Sequence, residues 1–227
     1  MTSGSAHIVQ GISDEDVWDF ENGYHWFSDP TRLNKALGHY ELYKMITGLP
    51  GDVVELGVFK GLSLIRFATF RAALEDVSSR RVIGFDAFGK FPRTGLSRPE
   101  DLGFIDTYET QAGDGLSRTE LDGILQKKGF ANYELVEGNV FETLPEFLKA
   151  NPALRISLLH LDMDVLEPTE FALDLLFDRV VKNGLVVFDD YQATVGATIA
   201  ADRFIEKQGL VLEKLPFYKQ PSFARKR

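Results

Sequence analysis

Two apolar runs in the second half of the sequence stop abruptly in carboxylates. Leu158-Leu159-His160-Leu161 leads into Asp162-Met163-Asp164, and Leu185-Val186-Val187-Phe188 leads into Asp189-Asp190-Tyr191. Apolar runs of this length, in a chain whose strands alternate with helical stretches, read as strands buried on both faces of a parallel sheet. Such sheets bind ligands beyond the carboxyl ends of their strands. If the two strands are neighbours, Asp162, Asp164, Asp189 and Asp190 share one rim. That much negative charge calls for a cation, a shared proton or a positively charged ligand. His160 could serve as a base, but its place inside the strand reads more simply as a core histidine with its partners satisfied.

A second group of polar residues stands at earlier strand ends. Glu55-Leu56-Gly57-Val58-Phe59-Lys60-Gly61 follows the first strand, where Gly57 allows a sharp turn and Gly61 a close helix start. Phe59 breaks the G-x-G-x-x-G dinucleotide pattern. Glu55 would repel a phosphate but could neutralise an ammonium; it could equally be a surface acid beside a tight turn. Asp86 ends the second strand, where a carboxylate commonly accepts from ribose hydroxyls, or caps a loop. Gly138-Asn139 follows the third strand and could edge an adenine or form a turn and helix cap. Together these strand ends suggest a nucleoside ligand with a positive amino-acid end.

The elements needed to hold these residues can be read from periodicity. Strands are expected at Asp52–Leu56, Arg81–Asp86, Tyr133–Val136, Ile156–Leu161 and Leu185–Phe188. Helices are expected at 31–48, Gly61–Leu74, Ser117–Lys128, Phe141–Ala150, Pro168–Val181 and Ala193–Lys207. Ser117-Arg118-Thr119-Glu120 has capping-box spacing. Residues 88–115, rich in Gly, Pro and charge, read as a long insertion without regular structure. The tail from Leu210 to Phe223 reads as two strands. This is an α/β chain with a doubly wound, mainly parallel sheet, helices on both faces and a C-terminal antiparallel pair. Residues 1–30, with Trp18, Tyr24 and Trp26, form an aromatic arm that staples onto the core or a partner subunit, or lids a pocket.

The net charge of −9 comes with no basic block, which argues against a nucleic-acid partner. The absence of cysteine excludes disulfides, thiolate metal sites and a Cys nucleophile. No run approaches a membrane span, and the opening residues lack the pattern of a secretory signal, so a cytoplasmic protein is expected.

With these residues in view, the chain resembles a class I S-adenosylmethionine-dependent methyltransferase. More narrowly, it is similar to the metal-dependent sugar O-methyltransferases of the macrocin, mycinamicin and noviose type. The resemblance rests on Gly51–Gly61, Phe85–Pro92, Gly138–Pro145, His160–Asp164 and Gly184–Tyr191. It implies a Rossmann-like fold, with an arm and helix at 1–50 and the methyltransferase domain at 51–227, insertion 88–115 included. It implies that Glu55, Gly57, Gly61 and Ser63 line the methionine end of S-adenosylmethionine. Asp86 would take the ribose, Gly138 with Asn139 the adenine, and Asp162 would also touch the cofactor. Asp162, Asp189 and Asp190 would hold magnesium, and Asp164 would be the general base. An all-oxygen ligand set suits that hard ion, which lowers the pKa of a bound hydroxyl. The acceptor implied is a small sugar or glycoside, and a homo-oligomer is expected. Two other enzyme classes use Asp-x-Asp: haloacid-dehalogenase-type phosphatases and nucleotide-sugar glycosyltransferases. A non-catalytic binding protein is the remaining alternative.

Overall fold

The computed structural model describes residues 6–227; residues 1–5 of the arm lie outside the described residues. A short hairpin, β1 (Ile8–Val9) and β2 (Ile12–Ser13), precedes α1 (Val17–Phe27) and α2 (Thr31–Lys44). The main sheet then begins. Its parallel strands are β3 (Asp52–Leu56), β4 (Val82–Asp86), β5 (Tyr133–Glu137), β6 (Ile156–Leu161) and β7 (Val180–Phe188). The connecting helices are α3 (Leu62–Leu74), α4 (Pro99–Ala112), α5 (Arg118–Lys127), α6 (Val140–Ala150) and α7 (Leu166–Leu176). The chain finishes with α8 (Val195–Gln208), β8 (Leu212–Lys214) and β9 (Ser222–Arg225).

The strand order is β5-β4-β3-β6-β7-β9-β8, with β9 antiparallel to both β7 and β8. The doubly wound sheet and its antiparallel C-terminal pair are therefore present. Strand order reverses between β3 and β6, which is where a sheet of this kind opens a crevice for ligand. The side-chain period of two divides the core. Val54, Leu56, Leu159, Leu161, Val186 and Phe188 pack against α6, α7 and α8. Val53, Leu158, Leu185 and Val187 pack on the other face with Leu42 and Tyr43 of α2, Phe67 of α3 and Leu121 of α5. Among the described residues no helix is long and apolar enough to cross a membrane.

Three expectations need correction. The insertion is not structureless: Pro99 opens α4, where its missing N–H costs nothing. This helix is anchored by buried Ile105 and by Asp101, whose Oδ2 accepts the Leu166 N–H at 2.9 Å. That bond also explains the second correction, because it starts α7 at Leu166 rather than Pro168. The helix ends at Leu176, and Val180-Val181 already belong to β7. Third, the arm folds as a hairpin and a helix, yet α1 buries none of its residues. Trp18, Trp26 and Phe27 are 72%, 68% and 84% exposed, so α1 is not stapled to the core of its own chain, although Val9 of the hairpin packs against that core. The Ser117–Glu120 capping box forms as expected: Ser117 Oγ accepts the Glu120 N–H at 3.2 Å and Glu120 Oε2 accepts the Ser117 N–H at 2.8 Å.

Candidate active site

The crevice at the switch point is a cavity of about 430 Å³, the size of a small-molecule site. Gly57, Ser63, Asp86, Gly138, Asn139, Asp162, Asp164 and Asp190 all lie on its wall. The sequence thus placed most of its candidate residues on one cavity. Glu55, Gly61 and Asp189 are not on the wall.

Glu55 departs from expectation because it is the penultimate residue of β3, which ends at Leu56 as expected. Its side chain therefore points onto the sheet face beneath α2 and α3, opposite His160 in register. Glu55 Oε1 lies 3.1 Å from His160 Nδ1, both side chains are fully buried, and Glu55 Oε2 has no partner among the described residues. Glu55 acts on the site through His160 and makes no contact with the cavity. The two glycines also have reasons of their own. A Cβ on Gly57 would stand 1.8 Å from the Asp162 carbonyl oxygen, and φ is +88° there. The Asp162 N–H in turn donates to the Leu56 carbonyl at 2.9 Å. Gly57 is required by the close approach of the β3 and β6 ends, before any ligand is considered. A Cβ on Gly61 would meet Leu121 Cδ1 at 2.6 Å.

Asp86 stiffens the loop after β3. Its Oδ2 accepts the N–H groups of Val58 and Phe59 at 2.7 and 2.9 Å, and Oδ1 accepts that of Phe88 at 2.7 Å. A carboxylate has about four acceptor positions, so one remains for a ligand hydroxyl. Asn139 caps α6 through the Phe141 N–H at 3.1 Å, and its Nδ2 donates to the Thr94 carbonyl at 3.1 Å, tying the insertion to the rim. The first turn of α3 has no side-chain cap, and Leu62 and Ser63 there face the cavity. N–H groups at such a helix start are suited to an anion.

The four aspartates gather because β6 and β7 are neighbours, with Leu161 opposite Phe188. Oxygens of Asp162, Asp189 and Asp190 lie within 4.8 Å of one another. Their environments split them. Burial, then the charges of Asp189 and Asp190, holds Asp162 well above the usual carboxylate range. Burial, then Asp164 and Asp189, does the same to Asp190. Burial also opposes ionisation of Asp189, but hydrogen bonds from His160 and His39 and the charge of Lys35 outweigh it and hold Asp189 well below. Asp164 is pushed up to about 8 by burial, then by the charges of Asp162 and Asp189. Its backbone is left-handed, φ +63°, and its N–H donates to Asp190 Oδ2 at 3.2 Å. The Asp164 carbonyl is held by the Thr194 hydroxyl at 2.5 Å and the Ala197 N–H at 3.3 Å.

His160 is a buried histidine bridging two acids, with Nε2 3.3 Å from Asp189 Oδ1. Burial disfavours its charge, but the bonds to Asp189 and Glu55 prevail and raise it to about 10. Fully buried between Asp189 and Glu55, His160 has the surroundings of a core histidine with its partners satisfied. Sequence reasoning missed Lys35 and His39 on α2. Lys35 Nζ lies 2.5 Å from Asp189 Oδ2, and His39 Nε2 lies 3.3 Å from Oδ1. Their spacing of one helical turn, in line with buried Leu42, was the available signal. The insertion contributes Tyr108, which faces the cavity, packs on Phe59 at 5.4 Å between ring centroids, and is pushed up to about 12 by burial and the nearby aspartates.

Comparison with known proteins gives a consistent picture. The profile of the Macrocin-O-methyltransferase (TylF) family matches residues 34–215. The 8-demethyl-8-(2,3-dimethoxy-alpha-L-rhamnosyl)-tetracenomycin-C 4'-O-methyltransferase of Streptomyces olivaceus is 32% identical over 63% of this chain. The mycinamicin III 3''-O-methyltransferase of Micromonospora griseorubida is 30% identical over 76% of it. The matched regions span 54% and 67% of those two relatives' own lengths. The apo structure of CalS11, a TDP-rhamnose 3'-O-methyltransferase of calicheamicin biosynthesis, superposes with a TM-score of 0.67 at 27% identity. That match covers 94% of this chain and 86% of CalS11.

Proposed function

The chain belongs to the Macrocin-O-methyltransferase family, and from that premise we propose that it methylates a hydroxyl of a sugar in natural-product or glycan biosynthesis. S-adenosylmethionine is the donor and magnesium assists. The observation that carries this reading is the meeting, on one cavity, of strand-end residues suited to a nucleoside and a rim of aspartates suited to a metal-bound hydroxyl. Relatives that are O-methyltransferases of sugar-bearing compounds support a sugar or glycoside acceptor. The family match favours methyl transfer over the phosphatase, glycosyltransferase and binding-protein alternatives.

The residues present fit both absent groups. The uncapped first turn of α3 suits the donor's carboxylate, and the free acceptor position of Asp86 suits its ribose. Asp162 and Asp190, destabilised as anions and facing the cavity, suit a hard divalent ion, with Asp189 adjoining them. When bound, the donor supplies a methyl group on a sulfonium centre and the ion supplies Lewis acidity. The chain's own part is to place the acceptor and receive a proton. Asp164 carries the proton-accepting oxygens, and burial, then the charges of Asp162 and Asp189, raises its pKa to about 8, a direction that favours a general base over an ordinary carboxylate. Tyr108 and Phe59 give the acceptor an aromatic wall.

Calorimetry with S-adenosylhomocysteine, the demethylated product, tests the donor site. Wild-type protein is expected to bind it at one site per chain, and Asp86→Ala to bind it more weakly, by about 1–3 kcal/mol. Absence of heat with wild-type protein would end the reading.

The reading includes a homo-oligomer. An 11-residue helix with no buried residue and several exposed aromatics has little to keep it folded alone. Light scattering of the whole protein is expected to give a dimer or larger, and deletion of residues 1–28 a smaller mass. Equal monomeric masses for both would count against this role of the arm.

A further inference from the structure

Asp101 and Ile105 are the buried residues of α4. A buried acid needs a partner to offset its lost hydration. Asp101 Oδ2 accepts the Leu166 N–H at 2.9 Å, and Arg98 Nε lies 3.7 Å from the same oxygen. Leu166 opens α7, and Val165 before it makes no side-chain cap. Asp101 therefore supplies that cap from the insertion. Gly196, in the first turn of α8, makes room for it. A Cβ there would stand 2.5 Å from Asp101 Oδ2 and 2.6 Å from the Leu166 nitrogen. Ser97 adds a second tie, donating its N–H and hydroxyl to Glu167 Oε1 at 2.9 and 2.7 Å. The insertion thus holds the first two residues of α7, directly after the turn that carries Asp164. That turn is tight: Asp164 has φ +63°, and the Val165 N–H donates to the Met163 carbonyl at 2.7 Å.

We propose that Asp101 is a positioning residue for Asp164: by capping α7 at Leu166 it fixes the turn that holds the Asp164 carboxylate at the cavity. This rests on the reading of Asp164 as the proton acceptor. The local sequence favours a later helix start, because proline is preferred at the first helical position and Pro168 is available for it. Without Asp101 the Leu166 N–H loses its partner, and the start of α7 is free to retreat toward Pro168, leaving residues 165–167 to the loop. Asp164 would keep its carbonyl bonds to Thr194 and Ala197 but lose the fixed helix start that follows it. Tyr108, on the cavity wall, belongs to the same helix as Asp101, so α4 bears on both the acceptor wall and the base.

The test combines turnover with hydrogen exchange, both on the whole protein. Turnover is read as transfer of a labelled methyl group from S-adenosylmethionine to a rhamnosyl glycoside. Asp101→Ala is expected to lower kcat by about 10- to 100-fold, in keeping with a displacement of roughly 1 Å at a catalytic group, with KM for the donor little changed. Asp101→Asn keeps an oxygen that accepts the Leu166 N–H and should recover most of the rate. In an Asp164→Asn background, Asp101→Ala should lower kcat no further, because two changes that act through one group do not add. The exchange measurement needs neither donor nor acceptor: the Leu166 amide should exchange about tenfold faster or more in Asp101→Ala than in wild type. If Asp101→Ala does not fold, Gly196→Ala, which drives a methyl group against the Asp101 carboxylate, reads the same quantities. Unchanged kcat, unchanged Leu166 exchange, or an equal loss of kcat in both backgrounds would overturn the assignment. Full turnover by Asp164→Asn alone would instead end the reading of Asp164 as the base, so the two failures are distinguishable.

Discussion

Asp164→Asn is expected to lower turnover by roughly 10²–10⁴, the usual worth of a general base, while leaving binding of the methyl donor nearly unchanged. The substitution is close to isosteric. Asparagine tolerates the left-handed backbone that Asp164 adopts at φ +63°, so the rim should keep its shape. The Thr194 and Ala197 bonds go to the Asp164 carbonyl and survive the change. What is lost is an oxygen that can accept a proton. A non-glycine residue held at positive φ costs on the order of 1–3 kcal/mol and persists where the surroundings impose it, often at functional sites. Steady-state rates at several magnesium concentrations, with donor affinity by calorimetry, check the assignment. Restoration of turnover by added magnesium would make Asp164 a metal ligand and leave the base to be found elsewhere.

Much of this site can be read from the sequence because strand ends announce themselves. An apolar run that stops in carboxylates locates the rim, and β6 and β7 do adjoin there. Parity was harder to read. Glu55 looks like a strand-end acid, but it stands one residue before the end of β3, and alternation turns it onto the sheet face against His160. A one-residue shift always exchanges the two faces of a strand. Gly57 looks like space left for a ligand, yet the Asp162 carbonyl fills that space; only the approach of two strand ends far apart in sequence reveals this. Lys35 and His39 were invisible for a similar reason. Their helical spacing is a weak signal by itself, and their significance comes from Asp189, about 150 residues further along the chain. The helix in the insertion was hidden by its Gly- and Pro-rich flanks, although Pro99 followed by Glu100 and Asp101 is a reasonable helix start.

Removal of metal is the second large effect expected. Asp162 and Asp190 are held well above the ordinary carboxylate range by burial and by neighbouring charge, and one ammonium cannot neutralise three clustered acids. The ion's proposed task is to acidify a sugar hydroxyl that is otherwise a poor nucleophile at neutral pH. The most direct measurement is transfer of a labelled methyl group from S-adenosylmethionine to a rhamnose-bearing acceptor, either TDP-rhamnose or a rhamnosyl glycoside. The same protein sample is assayed as prepared, then in excess chelator, then after magnesium is returned. The expected result is transfer to a sugar oxygen, its loss in chelator and its recovery with magnesium. Undiminished transfer in excess chelator would contradict the account and assign the aspartates a task without a metal.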